Sequence, residues 1–181
     1  MSALFTPLTV GAFTVRNRVA LPPMVCAVKP SLGARGADDA VTDALAAHYA
    51  RVARAGTGLV IVEATAVDAG GRCWAGGIGA YDDRFLPGLA QLAAAIRAEG
   101  AVAGIQLVHA GPQGSAALNG ENVGPSAVPA RPDGPVPRAL TVAEIHAIQA
   151  RFAAAALRCA DAGFQYLELH GAHGFLLDSF L

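Results

Sequence analysis

The feature that most limits the fold is a regular alternation of short apolar, β-rich runs with amphipathic helical segments. The apolar runs cover Arg18–Met24, Gly58–Val67, Ala101–His109 and Phe164–His170. Helices are predicted between them over Thr42–Ala55, from Asp82 or Asp83 to about Glu99, and from the capping box Thr141-Val-Ala-Glu144 to Ala162. Strands and helices in this order predict an α/β fold with a parallel sheet and right-handed crossovers.

Two α/β architectures are compatible with this order: an open doubly wound sheet and a (β/α)8 barrel. No Gly-x-Gly-x-x-Gly follows the first apolar run, so the usual dinucleotide fingerprint of the open sheet is missing. Polar or unusual residues instead follow several strand ends: Pro22, Pro23, Glu63, Gln106, His109, His170 and His173. Because barrels draw their sites from several strand ends at once, this distribution favours the barrel.

The number of strands indicates an incomplete barrel. Only about four βα units fit into the 181 residues, whereas a TIM (β/α)8 barrel needs eight and at least about 200 residues. We therefore expect residues 1–181 to form a single incomplete domain, the N-terminal half of a TIM barrel, with a long loop at about 111–140. This loop is either a lid or binding loop or a Pro-rich surface excursion.

A half barrel leaves strand edges unpaired, so we expect this chain not to be a stable monomer by itself. Another polypeptide supplies the rest, two copies assemble, or the sequence is a fragment.

Charge, hydropathy and cysteine content indicate which classes of partner and which cellular compartment fit the chain. The formal net charge of −1 argues against a nucleic-acid or anionic-membrane partner, because both need a basic surplus. The apolar stretches are too short for a transmembrane helix, and the N-terminus lacks a signal-peptide pattern. Three cysteines without metal-type spacing fit reduced thiols. These observations predict a cytoplasmic protein without a nucleic-acid or membrane partner.

The histidines His170 and His173 are the strongest candidates for chemistry. Two imidazoles three residues apart at a strand end can donate hydrogen bonds to one carbonyl or oxyanion. Metal binding, with Asp178 nearby, and a purely structural turn remain open alternatives at this point.

Three further polar residues lie within predicted strands. Gln106 can pair with the edge of a heterocycle or bond neighbouring backbone. Glu63 and Glu168 need partners if buried, and we expect structural ion pairs with Arg or Lys.

Several segments together resemble the old yellow enzyme family of NAD(P)H:flavin oxidoreductases. These segments are Phe5-Thr6-Pro7-Leu8, Arg16-Asn17-Arg18-Val19, Pro22-Pro23-Met24, His48-Tyr49, Leu59-Val-Ile-Val-Glu-Ala-Thr65, Gly104-Ile-Gln-Leu-Val-His-Ala-Gly111, Gly124-Pro-Ser-Ala-Val128 (similar to a loop hairpin of the family) and Leu169-His-Gly-Ala-His-Gly-Phe-Leu-Leu-Asp178. They follow the family's order over nearly the whole chain.

The resemblance implies an FMN cofactor across the strand ends and NADH or NADPH as reductant. It assigns flavin contacts to Pro22, Pro23, Met24, Ala64, Gln106 and His170, and it assigns the activating carbonyl of the substrate to His170 and His173. No metal is implied. The implied function is an ene-reductase-type oxidoreductase that reduces a small-molecule substrate, an activated alkene, with the cofactor carrying the redox chemistry.

The sequence departs from the family pattern in three places. Phe175 stands where many relatives have a proton-donating tyrosine, so that proton must come from water or another group. Val25 stands where one subgroup has a flavin-tuning cysteine, and Cys26 comes one residue later. The strands whose loops hold the FMN phosphate in the family have no counterpart here.

These departures leave two alternatives beside the ene-reductase. One is a catalytically inactive half-barrel partner that stabilises or regulates a complete relative. The other is a flavin enzyme that runs a different redox step, either desaturation or isomerisation.

Overall fold

The structure is a computed structural model that describes residues 2–26 and 38–181. In this part of the chain the strands are β1 (Leu8–Val10), β2 (Phe13–Val15), β3 (Ala20–Leu21), β4 (Leu59–Ala66), β5 (Ile78–Gly79), β6 (Val102–Val108), β7 (Val123–Gly124), β8 (Arg138–Ala139) and β9 (Tyr166–Leu169). The helices are α1 (Asp43–Arg54), α2 (Leu86–Ala98), α3 (Ala116–Asn119) and α4 (Val142–Asp161).

The main sheet distinguishes between the two predicted architectures. Its strands β3, β4, β6 and β9 are parallel and lie side by side in chain order, with β5 paired to the end of β4. A doubly wound sheet reverses its strand order at a switch point, which is absent from this series. Right-handed crossovers that always step the same way keep the helices on one face, as in a barrel wall.

One face of the sheet carries the hydrophobic core. The helices α1, α2 and α4 pack there against alternate strand residues, which include Val60, Val62, Ala103, Ile105 and Leu107. Two of the three predicted helix starts are confirmed: Thr42 caps α1, and Thr141 with Glu144 forms the capping box of α4. The third helix begins later than predicted, at Leu86, because Asp82 caps a short 3-10 helix over Asp83–Phe85 that precedes it. None of the helices among the described residues is long and apolar enough to cross a bilayer.

A β-hairpin that the sequence reading missed lies at the N-terminal end of the sheet. Strands β1 and β2 are antiparallel, and the Phe13 ring meets the Tyr166 ring edge-on at 6.3 Å between centroids. The following Arg16 donates to the carbonyl oxygens of Glu99 and Thr57, just after α2 and α1. The hairpin is thus fixed at the end of the barrel wall opposite the predicted site.

Two predicted segments differ in detail. The first strand is shorter than its apolar run, because Pro22 and Pro23 cannot donate to the ladder, and pairing stops at Leu21. Within the long loop, Val123–Gly124 pairs in parallel with Arg138–Ala139, so the hairpin expected around Gly124–Val128 is wrong.

Candidate active site

Three of the predicted site residues lie side by side at the carboxyl end of the sheet. The register pairs Thr65 of β4 with Leu107 of β6, which brings Ala64 beside Gln106. The next strand continues the row, because the backbone N–H of His170 donates to Leu107 O at 2.9 Å. Ala64, Gln106 and His170 are all buried.

Gln106 lies on the sheet face opposite the helices, since its neighbours Ile105 and Leu107 belong to the helix-side core. Its Nε2 donates to Glu168 Oε1 at 2.7 Å. Tyr166 donates to the other carboxylate oxygen of Glu168 at 3.5 Å. The expectation of an ion pair for Glu168 is therefore wrong: its partners are an amide and a phenol.

The two histidines form a cluster with Phe175. The ring centroids of His170 and His173 are 5.3 Å apart, and that of Phe175 lies 4.7 Å from His170 in an edge-on arrangement. Burial, and then the neighbouring His173, lower the pKa of His170 below its usual value. His170 is thus a neutral imidazole near pH 7, and its buried Nδ1 has no hydrogen-bond partner among residues 2–26 and 38–181.

The turn that carries His173 is fastened from three sides. His173 has a positive φ of 61° and an exposed side chain, while its carbonyl oxygen accepts from Gln113 Nε2 at 2.8 Å. Asp178 accepts the backbone N–H of Gly174 at 2.7 Å. Gly111 packs so closely that a Cβ there would lie 2.8 Å from Leu176 Cα. Asp178 therefore closes the turn, and within the described ranges no group of three His, Cys, Asp or Glu residues is arranged for a metal ion.

The Pro22–Met24 segment continues β3 at the same end of the sheet, beside β4. The backbone N–H of Cys26 donates to the buried Glu63 carboxylate at 2.7 Å. Tyr49 of α1 binds the same residue, since its hydroxyl accepts the N–H of Glu63 at 2.9 Å. This arrangement, which we call the Tyr49–Glu63 clamp, fixes the end of the Pro-Pro-Met segment and escaped the sequence reading.

His109 is separate from this site, although it also follows a strand end. Its Nδ1 accepts the backbone N–H of Gly111, and its ring packs against Gly71. Burial lowers its pKa to about 4, so it is neutral. The alternation of side chains along β6 could have indicated this, because residues 106 and 109 point to opposite faces of the sheet.

A model of the NADH:flavin oxidoreductase / NADH oxidase family matches residues 3–181. The chain belongs to this family. An NADPH dehydrogenase of Listeria monocytogenes is 40% identical over 181 residues, which are 100% of this chain and 52% of that protein. The chain spans about half the length of the curated relatives it matches.

Solved structures of related proteins likewise match this chain over about half of their own length. The old yellow enzyme homologue of Zymomonas mobilis superposes with a TM-score of 0.85 at 30% identity, over 98% of this chain and 50% of that one. Morphinone reductase, solved in complex with tetrahydroNAD, gives 0.86 at 29% identity, over 100% and 52%. The predicted fold, the N-terminal half of a TIM barrel of the old yellow enzyme type, is confirmed.

Proposed function

We propose that this chain is the site-bearing half of an FMN-dependent NAD(P)H oxidoreductase of the ene-reductase type. The observation that carries the proposal is the buried row of Ala64, Gln106 and His170 on the face opposite the helices. This row presents a polar amide and an imidazole nitrogen that has no hydrogen-bond partner in the described part of the chain. The family match and the NADPH dehydrogenase relatives support the choice of cofactor and reductant.

The residues present fit the ring of FMN. A flavin ring has a hydrogen-bonding edge, which suits the Gln106 amide, and flat faces, which suit a small side chain such as Ala64. Pro22, Pro23 and Met24 follow the neighbouring strand end and would contact the ring, and His170 Nδ1 would gain a partner. The bound cofactor would supply the redox chemistry, which is hydride transfer from NAD(P)H to the β-carbon of an activated alkene.

His170 and His173 would hold the activating carbonyl of the substrate. A neutral imidazole donates one hydrogen bond, so two rings 5.3 Å apart can supply two N–H donors to one oxygen. These donors stabilise the negative charge that develops on the oxygen as hydride arrives. Phe175 lies against His170 but cannot protonate the α-carbon, so solvent supplies that proton.

The rest of the barrel belongs to the proposal too. Leu167 and Leu169 on β9 are exposed large apolar residues, as is Leu157 on α4. Exposed apolar residues along a strand at the edge of a sheet favour association. We propose that further barrel strands pair here, supplied by a second polypeptide, a second copy or a further part of the same protein, and that their loops hold the FMN phosphate.

The test is NADPH consumption with a cyclic enone by the protein that contains this chain, in its purified flavin-loaded form. A His170→Ala, His173→Ala double variant should lose at least about 100-fold in kcat/KM, because the charge on the carbonyl oxygen loses both donors. A His146→Ala variant is the matched control, since His146 is exposed on α4. Equal rates for the double variant and the wild type would contradict the proposal and favour an inactive half-barrel partner.

A flavin reaction other than alkene reduction is the second candidate, and Phe175 is the observation that favours it. Desaturation and isomerisation do not require a tyrosine to protonate the α-carbon. Product analysis after incubation with the enone decides between them, because only the ene-reductase yields the saturated ketone in proportion to the NADPH consumed.

A further inference from the structure

We infer that Glu168 is a positioning residue for the flavin site: its carboxylate holds the Gln106 amide in the one orientation that can bind the pyrimidine edge of the flavin. The inference rests on the proposed function and adds a residue with no direct role in it. Its starting point is a contact across two strands, because the register of β6 and β9 places Gln106 opposite Glu168.

The contact fixes which way the amide of Gln106 points. An ionised carboxylate only accepts hydrogen bonds, so the side chain must turn its Nε2, not its Oε1, toward Glu168. The distance of 2.7 Å is at the short end for a charge-assisted hydrogen bond, which is stronger than a neutral one. A flipped amide would bring two acceptor oxygens together, so the carboxylate removes the ambiguity that an isolated glutamine would have.

The orientation leaves a matched pair of groups for a ligand. One hydrogen of Nε2 is used by Glu168, and within residues 2–26 and 38–181 the Oε1 of Gln106 accepts no hydrogen bond. An acceptor and a donor side by side complement an N–H next to a carbonyl, which is the pattern on the pyrimidine edge of a flavin. Tyr166 holds the second oxygen of Glu168, so the carboxylate is itself restrained.

The negative charge of Glu168 has a second consequence. Reduction increases the electron density on the pyrimidine end of a flavin, and a carboxylate on that side opposes the increase. Glu168 therefore strengthens binding of the oxidised ring through Gln106 and disfavours the reduced ring through its charge. Removal of the charge should change both properties in a coupled way, which a purely structural role would not produce.

The test compares Glu168→Gln with wild type in the full FMN-loaded protein, by FMN affinity and by spectroelectrochemical midpoint potential. The variant keeps the shape of the side chain and removes the charge. We expect oxidised FMN to bind about 10-fold more weakly, because a hydrogen bond to a charged group is lost, and the midpoint potential to rise. Glu99→Gln removes the same charge at the opposite end of β6, beside Arg54, and should change neither value.

The affinity and the midpoint potential of Glu168→Gln together support or overturn the role of Glu168. Unchanged affinity and potential in Glu168→Gln overturn it and leave the proposed function intact, and weaker binding at an unchanged potential overturns it in favour of a structural role. Absence of flavin from the wild-type protein overturns the proposed function and the inference together. If Glu168→Gln does not fold, Glu168→Asp replaces it: the shorter side chain withdraws the carboxylate from Gln106, so oxidised FMN should bind more weakly, and an affinity equal to that of wild type overturns the inference.

Discussion

Replacement of Tyr49 by phenylalanine tests the Tyr49–Glu63 clamp. The Tyr49 ring is fully buried, so Tyr49→Phe leaves the packing unchanged and removes only the hydroxyl. That hydroxyl accepts the N–H of Glu63 at 2.9 Å and lies 3.4 Å from Glu63 Oε2. The β4–β6 register shifts between Val62 and Thr65, so the N–H of Glu63 lies outside the regular ladder and donates to the Tyr49 hydroxyl instead.

The magnitude follows from the loss of a hydrogen bond in a buried site. Removing the acceptor of a buried N–H costs about 1–3 kcal/mol, so we expect Tyr49→Phe to lower the free energy of unfolding by about 2 kcal/mol. Burial, and then the nearby Glu63, raise the pKa of Tyr49 far above its usual value, so the loss should be the same from pH 6 to pH 9. The assay is urea unfolding of the full protein, followed by circular dichroism.

The matched control is Tyr166→Phe. Tyr166 is half-buried, and its hydroxyl makes one contact, at 3.5 Å to Glu168 Oε2. This substitution should change the free energy of unfolding by less than about 0.5 kcal/mol. A Tyr49→Phe value no larger than that of the control would refute the role given to the Tyr49–Glu63 clamp.

Three further predictions follow from the same geometry. Gly111→Ala should destabilise the protein by at least about 2 kcal/mol in urea unfolding, because a Cβ at φ +56° would meet the backbone of Leu176; a neutral result would contradict the close packing of the histidine turn. Burial lowers the pKa of His109 to about 4 in the folded protein, against about 6.5 in the unfolded chain. The contribution of neutral His109 to the free energy of unfolding is therefore fully present above about pH 6.5 and is lost as the pH falls toward 4. Between pH 7.5 and pH 5 the free energy of unfolding should fall by about 2 kcal/mol for this reason, and a His109→Gln variant should lack that part of the pH dependence. Phe175→Tyr restores a hydroxyl beside His170 and should raise kcat with an enone by at least about 10-fold; an unchanged kcat would mean that protonation does not limit the rate.

The main elements of the fold could be predicted because periodicity and capping are local. The helix that starts at Thr141 needs only the capping box and the apolar spacing after it, and all the necessary residues lie within one segment. The buried strands β4 and β6 are continuous apolar runs, which parallel strands covered on both faces require. The β1–β2 hairpin was missed because its strands are three residues long and mostly exposed.

The candidate site was predictable only in part, because its partners are far apart in sequence. Gln106 and His170 could be found from their place at strand ends, but the contact of Gln106 with Glu168 depends on the register of two strands 62 residues apart. The ion pair expected for Glu168 was the usual solution for a buried carboxylate, whereas the register offers it an amide instead. The position of His109, in contrast, was predictable: side chains alternate along β6, so His109 cannot face the same side as Gln106.

We propose that this chain carries the flavin face of a barrel that further strands complete. Native mass spectrometry of the full protein, purified without added cofactor, tests it most directly. We expect one noncovalently bound FMN per barrel, associated with polypeptide mass beyond this half, and loss of the FMN on denaturation. A stable monomer of these 181 residues alone, with no bound flavin, would contradict it.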